Sequence, residues 1–115
     1  MADSAPRKGD VHIVDFGAAG EGILKIRPGI VVSVDSINRH AFHVTVAPVR
    51  SAAGKEAIPL HAFIPAGEGG LRNHSLADVG LLAAVPKEKL GRRIGRLGPA
   101  ALERVDAAIR FYFGV

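Results

Sequence analysis

A chain of 115 residues, 48% of them hydrophobic and 23% charged, carries enough apolar material for one packed domain. It has no cysteine, so neither a disulfide framework nor a thiolate metal site is available, and no apolar run approaches the roughly 18 residues a membrane span needs. The formal charge is only +4, yet Lys87, Lys89, Arg92, Arg93 and Arg96 crowd into one short segment against Glu88 alone. Such a cluster is either a solvated helix face or a surface for an anionic partner, nucleic acid or an acidic protein.

Residues 1–8 are small and polar without the apolar stretch of a signal peptide, and they read as a disordered lead-in to one domain spanning residues 9–115. The expectation is a soluble, cytoplasmic protein. Gly9-Asp10 makes a turn before a first strand at residues 11–16. Gly17, Gly20 and Gly22 then mark a mobile loop, in which Ile23 and Leu24 have no periodic partner. That loop delivers the chain to Lys25 and Arg27. Pro28 fixes its own φ, biases Arg27 toward extended backbone and opens a second strand, where Ile30, Val31 and Val32 suit burial on both faces. Residues 34–40 are polar, one helical turn at most, and hold Asn38 and Arg39.

A third strand is predicted over residues 42–49, stopped by Pro48, and a fourth over residues 57–64, where Pro59 argues for a sheet edge. Residues 75–85 are apolar without decisive periodicity and read as a fifth strand ended by Pro86. Residues 87–97 should include a short helical turn carrying the basic cluster. Gly98-Pro99 opens the one long helix, whose apolar stripe is Leu102, Val105, Ile109 and Phe113, and Gly114 stops it. Five strands followed by a helix predict an α+β fold, a small antiparallel barrel with the helix packed on the sheet.

The chemistry-bearing residues narrow the choice of function. His12, His40, His43, His61 and His74 fall in no metal-ligand spacing, and no metal or cofactor is expected. No Walker, Rossmann or G-x-S-x-G fingerprint appears, and the carboxylates form no recognisable pair. Arginine-centred phosphate chemistry remains. Cleaving RNA without a metal requires an in-line 2′-OH, stabilisation of the phosphorane charge and a proton for the leaving 5′ oxygen. The fixed fork of an arginine, here Arg27 pinned by Pro28, can supply the second of these.

The order of these segments resembles the PemK/MazF family of toxin–antitoxin ribonucleases. The resemblance rests on Lys8-Gly9-Asp10-Val11 with Val14-Asp15-Phe16, on Arg27-Pro28 with Ile30-Val31-Val32-Ser33, and on Asp35 with Asn38-Arg39. Val46-Ala47-Pro48-Val49, Ser75, and Lys87, Lys89 and Leu90 extend it over nearly the whole chain. It implies an SH3-like barrel of the CcdB/PemK/MazF type, a homodimer, and a toxin that cuts single-stranded RNA to 2′,3′-cyclic phosphate and 5′-hydroxyl ends and so inhibits growth. It also implies neutralisation by an antitoxin peptide lying in the substrate groove. By the same resemblance Arg27 is the catalytic arginine, supported by Arg50 or Ser51, and the RNA contacts are Phe16, Lys25, Pro28, Asn38, Arg39 and Lys89. Three departures stand out: Arg50 occupies the place of the family's threonine, Leu81 that of its glutamine, and the loop around Glu21 is one residue longer. The alternative is a non-catalytic module on the same fold that binds RNA or an antitoxin, or poisons a protein target such as gyrase.

Overall fold

The computed structural model of the chain describes residues 5–17 and 26–115. The strands are β1 (Asp10–Asp15), β2 (Ile26–Val31), β3 (His43–Ser51), β4 (His61–Ile64), β5 (Ser75–Asp78), β6 (Ala83–Pro86) and β7 (Leu90–Arg96). The helices are α1 (Asp35–His40) and α2 (Pro99–Phe113), with single 3₁₀ turns at Glu68–Gly70, Val79–Leu81 and Lys87–Lys89. The order across the sheet is β4-β5-β3-β2-β1-β7, every pairing is antiparallel, and β6 lies along the first half of β3.

The expected α+β architecture is present, with seven strands where about five are predicted. Residues 75–85 do not form one strand. Asp78 accepts the Gly80 N–H at 2.9 Å, which turns the chain and separates β5 from β6. The basic segment differs more: only Lys87–Lys89 is helical, and Arg92, Arg93 and Arg96 lie on an edge strand paired to β1. β4 begins after Pro59 and is the other edge, as its proline requires.

Apolar side chains divide between the two faces of the sheet. Val11, Ile30, Val49, Ile64, Ala77 and Val79 pack with Ala101, Val105 and Ala108 of α2. On the other face Val14, Phe16, Val31, Val44, Val46 and Val85 form a second cluster. Ile30 and Val31 are therefore buried on opposite sides of one strand, which is why this run is apolar without alternation. The helix meets the sheet through its small residues. Ala101 and Ala108 are buried, whereas Leu102 and Ile109 are half-buried and Phe113 is exposed, so the stripe is rotated from the one predicted. Pro99 starts α2, and Gly114, at φ +74°, donates its N–H to the Arg110 carbonyl at 2.9 Å to end it.

The turn at Glu68–Gly70 folds the far end of the sheet over β7. Glu68 Oε2 accepts the Gly98 N–H there, and Gly70 sits at φ +78° with its Cα against the backbone of β7. A Cβ at Gly70 would stand 2.1 Å from the Ile94 carbonyl oxygen, so no other residue fits.

Candidate active site

The site arises where β2 and β3 part. Their ladder ends at Gly29 opposite Pro48, and neither Pro28 nor Pro48 has an N–H to extend it. β2 stays with β1, placing Pro28 opposite Ile13 and Arg27 opposite Val14. β3 leaves for β5, placing Arg50 opposite Leu76 and Ser51 opposite Ser75. Between them opens a cleft of about 330 Å³. One wall is Ile26, Arg27 and Pro28, another is Val49, Arg50 and Ser51, and the third is Leu71, Arg72, Asn73 and Ser75 ahead of and into β5.

Arg27, Arg50 and Arg72 share this lining, which among the described residues contains no carboxylate and no imidazole. Arg27 is half-buried, and its Nε is enclosed without a hydrogen-bond acceptor among the described residues. A buried N–H with no partner is costly. Arg50 is exposed along much of its length, and its Nη2 lies 3.9 Å from Asp78 Oδ2. Asp78 is itself half-buried, 3.5 Å from His61 Nε2 and bonded to the Gly80 N–H, so it backs Arg50 from outside the cleft. Ser75 Oγ donates to the Asn73 carbonyl at 2.8 Å and holds the third wall in place. An arrangement of cations around an open trough, with serine hydroxyl and asparagine amide beside them, suits a phosphate of an extended chain.

The residues predicted from the sequence are dispersed. Arg27, Pro28, Arg50 and Ser51 meet in the cleft. Lys89 is exposed on the turn before Leu90, which is opposite Val14 and hence two strands from Arg27. Lys25 and the rest of the glycine loop beyond Gly17 lie outside the described residues. Phe16 is not a stacking platform: it is 8% exposed, inside the second apolar cluster, because Gly29 leaves room for its ring. Asn38 is not a surface contact either. It has no exposed area, its Oδ1 accepts from Ser33 Oγ at 2.5 Å, and its Nδ2 donates to the Ser33 carbonyl at 2.8 Å.

Arg39 stands at a different cavity with Arg7 and Asp35. There the Lys8 N–H, bonded to Asp35 Oδ1 at 2.8 Å, and the nearby Arg7, Arg39 and Arg96 hold the Asp35 carboxyl below its ordinary value against a smaller opposing effect of burial. Leu81 is exposed on the turn between β5 and β6. Arg72 and Asn73 are the cleft residues that sequence reasoning misses. Among the described residues no group of three or more His, Asp or Glu stands together as a metal site.

The model of the PemK-like, MazF-like toxins of type II toxin–antitoxin systems matches residues 7–113. The chain is 31% identical over 112 residues to endoribonuclease MazF9 of Mycobacterium tuberculosis, covering 92% of this chain and 94% of that protein. Among solved structures, an endoribonuclease of a mycobacterial species in complex with its cognate antitoxin superposes with a TM-score of 0.80 at 22% identity, over 96% of this chain and 97% of the other. MazF from Deinococcus radiodurans gives 0.78 at 21% identity, over 98% and 100%. Those two likenesses carry the fold. With the family model spanning almost the whole length, the chain belongs to the PemK-like, MazF-like toxins of type II toxin–antitoxin systems.

Proposed function

We propose that this toxin cuts single-stranded RNA in the cleft between β2 and β3 without a metal ion, leaving a 2′,3′-cyclic phosphate and a 5′-hydroxyl. The observation that carries the reading is one cleft lined together by Arg27, Arg50 and Ser51. A phosphodiester entering the cleft meets these cations and the hydroxyl. The ribose 2′ oxygen then attacks the neighbouring phosphorus, forming the new P–O2′ bond as the P–O5′ bond breaks. Arg27 is placed to stabilise the equatorial oxygens as their charge grows, and Arg50 adds a second positive charge. Ser51 holds the phosphate through its hydroxyl. Among the described residues no lining side chain is a carboxylate or an imidazole, and an arginine does not give up its proton. A base takes the 2′ proton and an acid returns one to the 5′ oxygen, and water in the open cleft can serve as both.

The test is a long unstructured RNA incubated with the protein in EDTA, with products mapped for a cyclic phosphate. Cleavage is expected, and Arg27→Ala should lower it by about 10²–10³ at unchanged fold. Full cleavage by Arg27→Ala would remove the mechanism. A second reading, binding without cutting, is favoured by one feature: three arginines, Arg27, Arg50 and Arg72, line the cleft and suit holding phosphates. Intact RNA at high protein concentration, with tight binding retained, would select it.

We further propose a cytoplasmic homodimer, neutralised by an antitoxin peptide in the same cleft. Exposed Phe42, Phe111, Tyr112 and Phe113 support the dimer, since single chains rarely leave so many aromatics in water. Sedimentation showing only monomer at micromolar concentration would count against it.

A further inference from the structure

A second basic cavity lies at the opposite end of β1 from Arg27, and the cleft chemistry makes no use of it. It holds about 430 Å³ and is walled by Arg7, Asp10, His12, Arg93 and Arg96, with the backbone of Ala5 and Pro6 closing one side. Asp10 is its pivot. This buried carboxylate accepts Arg96 Nε and Nη2 on Oδ1 at 3.1 and 2.8 Å, with Arg93 Nη1 3.7 Å from the same oxygen. Its Oδ2 accepts the Arg7 N–H at 2.9 Å. One carboxylate is thus set against the guanidinium groups of Arg93 and Arg96, of which Arg93 is largely exposed, while the Arg7 guanidinium lies 3.7 Å from Asp35 Oδ2 at the cavity's rim.

His12 supplies an independent sign of a missing partner. Its Nδ1 is 2.9 Å from the Gly91 carbonyl, which can only accept, so Nδ1 carries the hydrogen. Its Nε2 is buried, makes no hydrogen bond, and faces Asp10 Oδ2 at 3.9 Å. As a neutral ring it directs a lone pair toward a carboxylate. The ring stands among Asp10 on its own strand, Arg93 and Arg96 on β7, and Arg7 ahead of β1.

We infer that this cavity binds a phosphate group, with Arg7, Arg93 and Arg96 as donors, the buried and unpartnered His12 Nε2 beside them, and Asp10 holding Arg93 and Arg96 in position. Donors arriving from β7 and from the turn ahead of β1 suit a tetrahedral anion with several acceptor oxygens better than a planar carboxylate. The space exceeds that of a phosphate several times over, so the group can be free phosphate or one link of a nucleic-acid strand passing outside the cleft. The inference stands whether or not the cleft cuts RNA.

The test titrates inorganic phosphate into the full-length protein at fixed ionic strength, set with chloride, and follows the His12 ring and Arg93 side-chain resonances by NMR. Saturable shifts of both are expected. Arg93→Ala, at an exposed position, should weaken binding by about tenfold and Arg93→Lys by less. Shifts that grow linearly with phosphate, or that Arg93→Ala leaves unchanged, would overturn the site. A 2′-O-methyl RNA oligonucleotide, which cannot be cut, separates the sources. If Arg93→Ala weakens it too, the site lies on a strand's path; if only phosphate binding weakens, the ligand is the free ion.

Discussion

Truncating Asn38 to alanine distinguishes a residue that serves the fold from one that serves a ligand. Its amide joins α1 to the end of β2, and the Ser33 hydroxyl it bonds also accepts the Thr45 N–H at 3.0 Å, which brings in β3. Asn38→Ala deletes two hydrogen bonds at about 1 kcal/mol each and leaves the Ser33 carbonyl short of a partner, for roughly another 1 kcal/mol. The emptied space adds about 0.5–1 kcal/mol. The total, about 3–4 kcal/mol, corresponds to a melting temperature lowered by roughly 10–15 °C in a chain of this size. Thermal and urea denaturation read the loss, and binding to an uncleavable RNA is measured well below the melt. Affinity should stay within about twofold, because the side chain has no exposed surface. A small change in melting with a large loss of RNA binding would refute this assignment and return Asn38 to the RNA surface.

Three further outcomes follow from the geometry. The Asp35 carboxyl is held below its ordinary value of 3.8, first by the Lys8 N–H and then by Arg7, Arg39 and Arg96, so its contribution to stability is present above that value and fades as pH falls through the lower, folded one. Urea midpoints for the parent and Asp35→Asn should differ at neutral pH and converge below about pH 4; a constant difference would mean the carboxylate's charge is irrelevant. Gly70→Ala should fail to give a cooperatively folded protein by circular dichroism, because the new methyl would sit 2.1 Å from the Ile94 oxygen; a normal melt would mean β7 can move aside. Arg72→Ala should make the salt dependence of RNA binding shallower by about 0.7 in log–log slope, the share of one neutralised phosphate, and an unchanged slope would remove Arg72 from the interface.

What local sequence specifies, it specifies well here. Pro99 and Gly114 bracket α2 because their backbone preferences act where they stand, and Ile30-Val31 announce a doubly buried strand by lacking any polar residue. Long-range pairing is what the sequence hides. Residues 87–97 read as including a helical turn that carries the basic cluster, yet Gly91 belongs to a strand pressed on its neighbour: a Cβ there would fall 2.8 Å from the Ile13 oxygen of β1. Phe16 looks like a candidate for base stacking until the absence of a side chain at Gly29 gives its ring somewhere to go. Arg72 and Asn73 carry no motif. They reach the cleft only because Ser51 pairs with Ser75, a contact across 24 positions that no local pattern encodes.

An arginine at position 50 decides the kind of help the cleft gives, and exchanging it for threonine tests the chemistry. A hydroxyl offers one directed hydrogen bond to a phosphate and to a phosphorane alike. A guanidinium offers charge, and the dianionic phosphorane gains more from a fixed charge than the monoanionic diester does. Arg50 is exposed on one side and backed by Asp78 on the other, so part of its charge is already compensated in the free protein. Its advantage should therefore be moderate and salt-sensitive. In Arg50→Thr, cleavage at low salt should fall by roughly tenfold, and the deficit should shrink as salt rises toward about 0.5 M, where the exposed charge is screened. RNA affinity should fall in parallel, with a salt slope shallower by about 0.7. If Arg50→Thr instead cuts faster at every salt concentration, the arginine obstructs the reaction, the hydroxyl is the better partner for Arg27, and this cleft is built to hold RNA more than to break it.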